Sequence, residues 1–183
     1  MDKWPGALLA LVIVAVAAWL MLRSWRRRTT RDRSLSAYPL PSVHAEPSLE
    51  AEVLYVATTP IGQPLERLAV RGLAFRGSGR LEVRQEGVLL RIAGESASFI
   101  PADRITAAGA ASYAIDRGVE AEGLVAISWI AHVDDAQRLA PAVDSYVRAR
   151  YPGDSGRIIA AVNDIAAARV VPRPEQESEA ADD

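Results

Sequence analysis

The chain has 183 residues, no cysteine and a formal charge of -2, which excludes disulfides, thiolate metal sites and a cysteine nucleophile. That near-neutral total hides an asymmetry. Residues 1–33 carry seven basic and two acidic side chains, net +5, and the remainder is net -7, a split that points toward a membrane surface more than toward nucleic acid. Twenty of the 21 basic residues are arginine, so arginine by itself says little about function.

The first element is an uncharged run of 19 residues, WPGALLALVIVAVAAWLML, Trp4 to Leu22. As a helix it extends about 28 Å at about 1.5 Å per residue, which suits a hydrocarbon layer about 30 Å thick. Residues 4–22 therefore read as a transmembrane helix. Trp4, Trp19 and Trp25 lie at or near its ends, where amphipathic rings prefer the headgroup layer, and Arg23, Arg26, Arg27, Arg28, Arg31 and Arg33 all follow it. The side richer in Lys and Arg normally stays inside. The expectation is a single-pass cell-membrane protein, with its amino terminus outside and its domain cytoplasmic. Those nine residues would form the membrane interface on a bilayer with anionic headgroups. The rival is an exported domain behind an uncleaved anchor or a signal peptide, but a signal peptide places its charge before the apolar core. A twin-arginine export signal is excluded by the same order. No basic face continues into the domain, so no nucleic acid is expected as a partner.

Residues 23–50 read as a basic juxtamembrane segment and a proline-rich tether, since SLSAYPLPSVHAEPSLE (Ser34 to Glu50) lacks helical or strand periodicity. Beyond it the period is two. GRLEVRQEGVLLRIAG places Leu81 and Val83 against Glu82 and Arg84, turns at Glu86-Gly87, and returns with Val88, Leu90 and Ile92 on one face, a hairpin with one wet side. Further strands are expected at Val53–Thr58, Leu68–Phe75, Ala97–Pro101, Leu124–Ala131 and Val143–Ala149. Trp129 shares a face with Val125 and Ile127, and reads as core with an indole N–H in need of a partner. After YPGDS the spacing of Ile158, Ile159, Val162, Ile165 and Ala166 is helical. Six or seven strands and one helix suggest a curled antiparallel sheet, or two sheets at a steep angle, closed at one end by the helix. Residues 169–183 read as a disordered acidic tail.

Reactive constellations are few. RGSGR, Arg76 to Arg80, lacks the context of a phosphate-binding loop and reads as a turn. Histidine occurs at His44 and His132 alone. His132 with Asp134 and Asp135 could be drawn as a metal or acid–base cluster, but no second nitrogen ligand accompanies it. Ser112, Ser128 and Ser145 have no histidine at a motif spacing. No catalytic residue, metal site or cofactor is expected, and a hydrolase using His132 is the minor reading.

The run VLYVATTPIGQPLERLAVRGLAFRGSGRLEV, then GVLLRIAG, FIP and AIDRGVEAEGLVAISW, resembles an actinobacterial family of single-pass membrane proteins with a pleckstrin-homology-like (PH-like) domain. Its members are often labelled transporter or export protein. The resemblance implies a mainly β fold with one C-terminal α-helix over residues 51–168, a PH-like open barrel of about seven antiparallel strands preceded by the single transmembrane helix. It brings no binding residues to carry over. The first loop, TTPIGQPLER, holds one arginine, Arg67, too little for phosphoinositide recognition. The expected function is a membrane-anchored, non-enzymatic interaction or scaffold module, or an accessory subunit of a membrane complex. Its partner would be a membrane-associated protein meeting an exposed strand edge or the groove beside Ile158 to Ile165.

Overall fold

The computed structural model of the chain describes residues 4–32, 35–42, 45–114, 117–118, 123–134 and 139–170. The expected acidic tail beyond Val170, His44, Arg33 and Asp135 lie outside these residues. Two helices, α1 (Trp4–Asp32) and α2 (Asp154–Val170), bracket eleven strands: β1 (Leu35–Ser36), β2 (Leu49–Pro60), β3 (Gly77–Arg84), β4 (Gly87–Ile92), β5 (Ser98–Pro101), β6 (Ile105–Ala111), β7 (Tyr113–Ala114), β8 (Arg117–Gly118), β9 (Leu124–Ile130), β10 (His132–Val133) and β11 (Ala142–Ala149). With helices of 29 and 17 residues beside these short strands, the fold is mixed α/β, which corrects the mainly β expectation.

Seven strands form one antiparallel sheet in the order β5-β4-β3-β2-β11-β9-β6. Its end strands β5 and β6 are consecutive in the chain and joined by the short 3-10 turn Ala102–Arg104. The sheet must therefore curl until its two edges approach at one corner. They do not pair there, so no closed barrel forms. Helix α2 packs on the concave side, where Ile158 and Val162 are wholly buried among Leu81, Leu90, Ile100, Ile127 and Trp129.

The transmembrane expectation is also corrected. Among the described residues no helix is long and apolar enough to cross a membrane. The single-pass topology, and with it the outside amino terminus and cytoplasmic domain, has no spanning helix to rest on. The apolar side chains of α1 are exposed nonetheless, from Val16 at 50% to Met21 at 77%.

Part of the expected tether is docked. Leu35 and Ser36 pair with Val133 and His132, Tyr38 N–H donates to the Phe99 carbonyl at 2.9 Å, and Ser48 N–H to the Val83 carbonyl at 2.8 Å. The outer side of the β3–β4 hairpin is consequently only partly wet: Glu82 and Leu89, with Phe99 of β5 beside them, are buried, while Arg80 and Arg91 stay exposed. The expected strand Leu68–Phe75 is instead a buried loop. Leu73 N–H closes a turn onto the Val70 carbonyl at 2.9 Å, with Gly72 at φ +81°, the left-handed value a type II turn requires at its third residue. β6 was missed because ITAAGAA contains only residues of weak strand preference around Ile105 and Thr106.

One line of hydrogen bonds crosses the core. Trp129 Nε1–H donates to Ser145 Oγ at 2.9 Å, Ser145 Oγ and Thr58 Oγ1 are 2.7 Å apart, Thr58 Oγ1 and the Tyr55 hydroxyl 2.9 Å, and the Tyr55 hydroxyl reaches the Leu73 carbonyl at 2.8 Å. Its polarity follows by elimination. Indole only donates and carbonyl only accepts, so each hydroxyl spends its single proton in the same direction: Ser145 to Thr58, Thr58 to Tyr55, Tyr55 to Leu73. A register irregularity opposite Tyr146 and Val147 makes this possible. Val147 pairs with Tyr55 and Tyr146 with Ala57, leaving Val56 as the extra residue. The bulge reverses the alternation, so that Tyr55 and Thr58, three apart, both face inward.

Ser145→Ala leaves the Trp129 indole and the Thr58 hydroxyl one partner short in a site with no water access. A loss of about 1–3 kcal/mol is expected in urea denaturation of the full chain; a change below about 0.5 kcal/mol would contradict the connection. Burial pushes the Tyr55 phenol far above its ordinary value, and the Thr58 bond offsets only part of this. The folded state then holds a proton that the unfolded state releases near pH 10. Stability is thus full below about pH 10 and falls above it, and Tyr55→Phe should flatten that fall.

Candidate functional site

The charged side chains are mostly occupied with one another. On the outer sheet face Glu82 Oε2 accepts from Arg84 Nη2 at 2.6 Å and Glu82 Oε1 from Arg91 Nε at 3.2 Å, while Arg84 Nη1 donates to the Ala45 carbonyl. Burial pushes the Glu82 carboxyl up, and the two arginines outweigh it, leaving it below the usual carboxylate range. A carboxylate so saturated is a permanent anion that ties residue 45 to the hairpin, with no proton to exchange at neutral pH. Arg67, the one arginine of the first loop, donates to the Val56 carbonyl, so its guanidinium is directed to backbone and away from a phosphate.

His132 sits in β10 with its ring 5.1 Å from that of Tyr38 and Nε2 3.5 Å from Asp134 Oδ1. Both are substantially exposed. Among the described residues no group of three or more His, Cys, Asp or Glu could hold a metal ion. Of the serines, Ser145 is spent in the core line, Ser128 donates to Asp144 Oδ1 at 2.6 Å and Ser112 is exposed. These positions are separate and none has a histidine partner among the contacts described.

The residues expected at a membrane interface all precede β1. Trp19 and Arg23 lie together in α1, the guanidinium 5.4 Å from the ring centroid. Arg26 is exposed on the same helix, and Trp4, Trp25, Arg27, Arg28 and Arg31 belong to it with side chains outside the described set.

Both sheet edges are covered at their centres. β5 is bridged by Tyr38 at Phe99, and β6 is met by α2, where Asn163 Oδ1 accepts from Ala108 N–H at 2.8 Å and Asn163 Nδ2 donates to the Ala108 carbonyl at 2.9 Å. The more open feature is a groove of ≈800 Å³ between α2 and the β2–β4 corner. Leu49, Ala161 and Ile165 form its floor, Ala160 and Ala168 its helix wall, and Arg157 and Asp164 stand along it with Ser48 and Gln85 opposite. The helical spacing Ala161, Ile165, Ala168 keeps one face of small and aliphatic residues toward the groove. Sequence periodicity located the helix and its core-facing stripe, of which Ile165 alone also lines the groove; the far wall at Ser48 and Gln85 depends on the docked segment before β2, which the prolines concealed. A second depression of ≈570 Å³ at the opposite corner is lined by Arg148, Arg150 and Tyr151, with Arg150 drawn to Glu52 at 3.5 Å.

The family described as Bacterial PH domain-like matches residues 35–163, from the first residue of β1 to Asn163 of α2. The match begins after α1, so it carries no support for the single-pass membrane family expected from the resemblance. No curated protein matches the chain.

Replacing Glu82 by Gln should destabilise the full chain by about 2 kcal/mol at neutral pH, chiefly through the partly buried Arg84 left without its anion; the half-exposed Arg91 adds little because solvent screens it. Glu82 has its folded value below its unfolded one, so its contribution is full above about pH 4.3 and disappears as pH drops through the lowered folded value. Denaturant midpoints of wild type and Glu82→Gln should converge in acid. Equal midpoints at neutral pH would refute the role.

Proposed function

The chain belongs to the Bacterial PH domain-like family, and from that membership we propose that its domain is a protein-interaction module whose contact surface is the groove beside α2. PH-like domains are non-catalytic, and in general they serve lipid or protein binding. Of those two, protein is the reading that the side chains favour. Lipid-phosphate recognition needs free, convergent cations, and the first loop's Arg67 is engaged with backbone.

The observation that carries the proposal is the groove's floor of small and aliphatic side chains with its charges of both signs along the helix. Alanines let a partner's backbone approach closely, and Leu49 with Ile165 offers apolar area to cover. Arg157 and Asp164 favour a short amphipathic segment carrying complementary charges and so set its direction. Pairing at a strand edge is the weaker alternative, because Tyr38 and Asn163 already occupy the centres of both edges.

Ala160 and Ala168 are exposed helix positions, where arginine, a good helix former, changes stability by less than about 0.5 kcal/mol. A photo-crosslinking residue at Ala160 in the full chain should capture a discrete protein in cells, and Ala168→Arg should abolish that product. The same probe at Arg150 should not yield it. An Ala160 product indifferent to Ala168→Arg, or capture from Arg150 alone, would place the contact elsewhere.

A further inference from the structure

Strand β6 ends the sheet, and its sequence ITAAGAA has neither a proline nor a charged residue, the usual means of blunting an edge. In an antiparallel ladder the two polar groups of alternate residues turn to the partner strand or away from it. Ala108 presents both of its groups away from β9, because both meet Asn163, at 2.8 and 2.9 Å. A single side-chain amide thus makes the pair of bonds that a residue of a neighbouring strand would make. Asn163 sits in the middle of α2, a position where asparagine is a poor helix former, and its amide is committed to the strand instead.

We propose that Asn163 guards this edge, standing in for one residue of an eighth strand, and that what it excludes is β6 of a second copy of this chain. The occupant follows from the strand itself. Two copies meeting antiparallel about a two-fold axis near Ala108 place like residues opposite one another. The run Ala107, Ala108, Gly109, Ala110, Ala111 offers no charge or bulk to oppose that pairing. Ala110 has the parity of Ala108, so its N–H also points off the sheet, and it is exposed. With the guard removed, both outward groups of Ala108 lose their partner and join the outward N–H of Ala110 along the edge.

The chain has no cysteine, so Ala107→Cys places one thiol on the exposed side of β6. Full chains carrying that thiol are compared with and without Asn163→Ala, using a short thiol-to-thiol cross-linker at one protein concentration. Association through any other surface is common to both and cancels. Cross-linked dimer is expected to rise several-fold when Asn163 is removed. Adding Ala110→Pro, which deletes an outward N–H without breaking the ladder to β9, should return it to the starting level. Equal cross-linking with and without Asn163 would overturn the proposal. So would an increase that survives Ala110→Pro, since that would trace the effect to a loosened α2 and not to strand pairing.

Discussion

The hydrogen-bond line from Trp129 through Ser145, Thr58 and Tyr55 to the Leu73 carbonyl is the constraint on which the rest of the domain depends. It ties three adjacent strands, β9, β11 and β2, to the loop that follows β2, in a region where every one of these side chains is wholly buried. Such a line is stabilising only if complete, because each interior member is both donor and acceptor and a missing one orphans two neighbours. It also anchors the loop of residues 61–76, whose Leu68, Val70 and Leu73 fill the end of the core that the curled sheet leaves open.

With most of the interior polar groups paired in this way, and Ser98 Oγ the buried hydroxyl left without a partner among the described residues, chemistry has little to work with and surfaces remain. The buried carboxylate of Glu82 is held by two arginines, Ser145 and Thr58 are spent on each other, and His132 lies on the rim with an exposed aspartate. The strand edges are met by Tyr38 on one side and Asn163 on the other. The groove beside α2 is left as the place where apolar area and charge lie together, with Arg157 also paired to Asp154 at 3.0 Å, which is why the functional reading rests there.

Much of the domain was legible because alternation and helical spacing report burial directly. The β3–β4 hairpin, β9, β11 and α2 fall where their periodicity put them, and Trp129 is buried with the partner its indole needs. The bulge at Val56 was not legible, since alternation alone would have turned Thr58 outward and broken the core line. The loop 61–76 looks like a strand because its apolar residues are buried, yet Gly72 bends it. The segment after α1 looks like a tether because prolines conceal its pairing, and residues 35–48 cover a hairpin face that sequence left wet. For α1, apolar length alone suggested a membrane span, whereas no helix among the described residues is long and apolar enough to cross one. The helix beside the groove could be read from the sequence, but its groove-facing residues Ala160 and Ala168 lie off the apolar stripe, and the opposite wall required the register of β2.

The most direct measurement of the central claim is hydrogen exchange at the Trp129 indole, followed by NMR on the full chain across a range of sub-denaturing urea. If the Trp129 N–H is the head of a closed core line, it exchanges only through global unfolding, so its opening free energy matches that of the slowest amides and shows the same urea dependence. Exchange with a small, urea-independent opening energy would mean that the indole is released by local motion, and the account of a core fixed by this line would be contradicted.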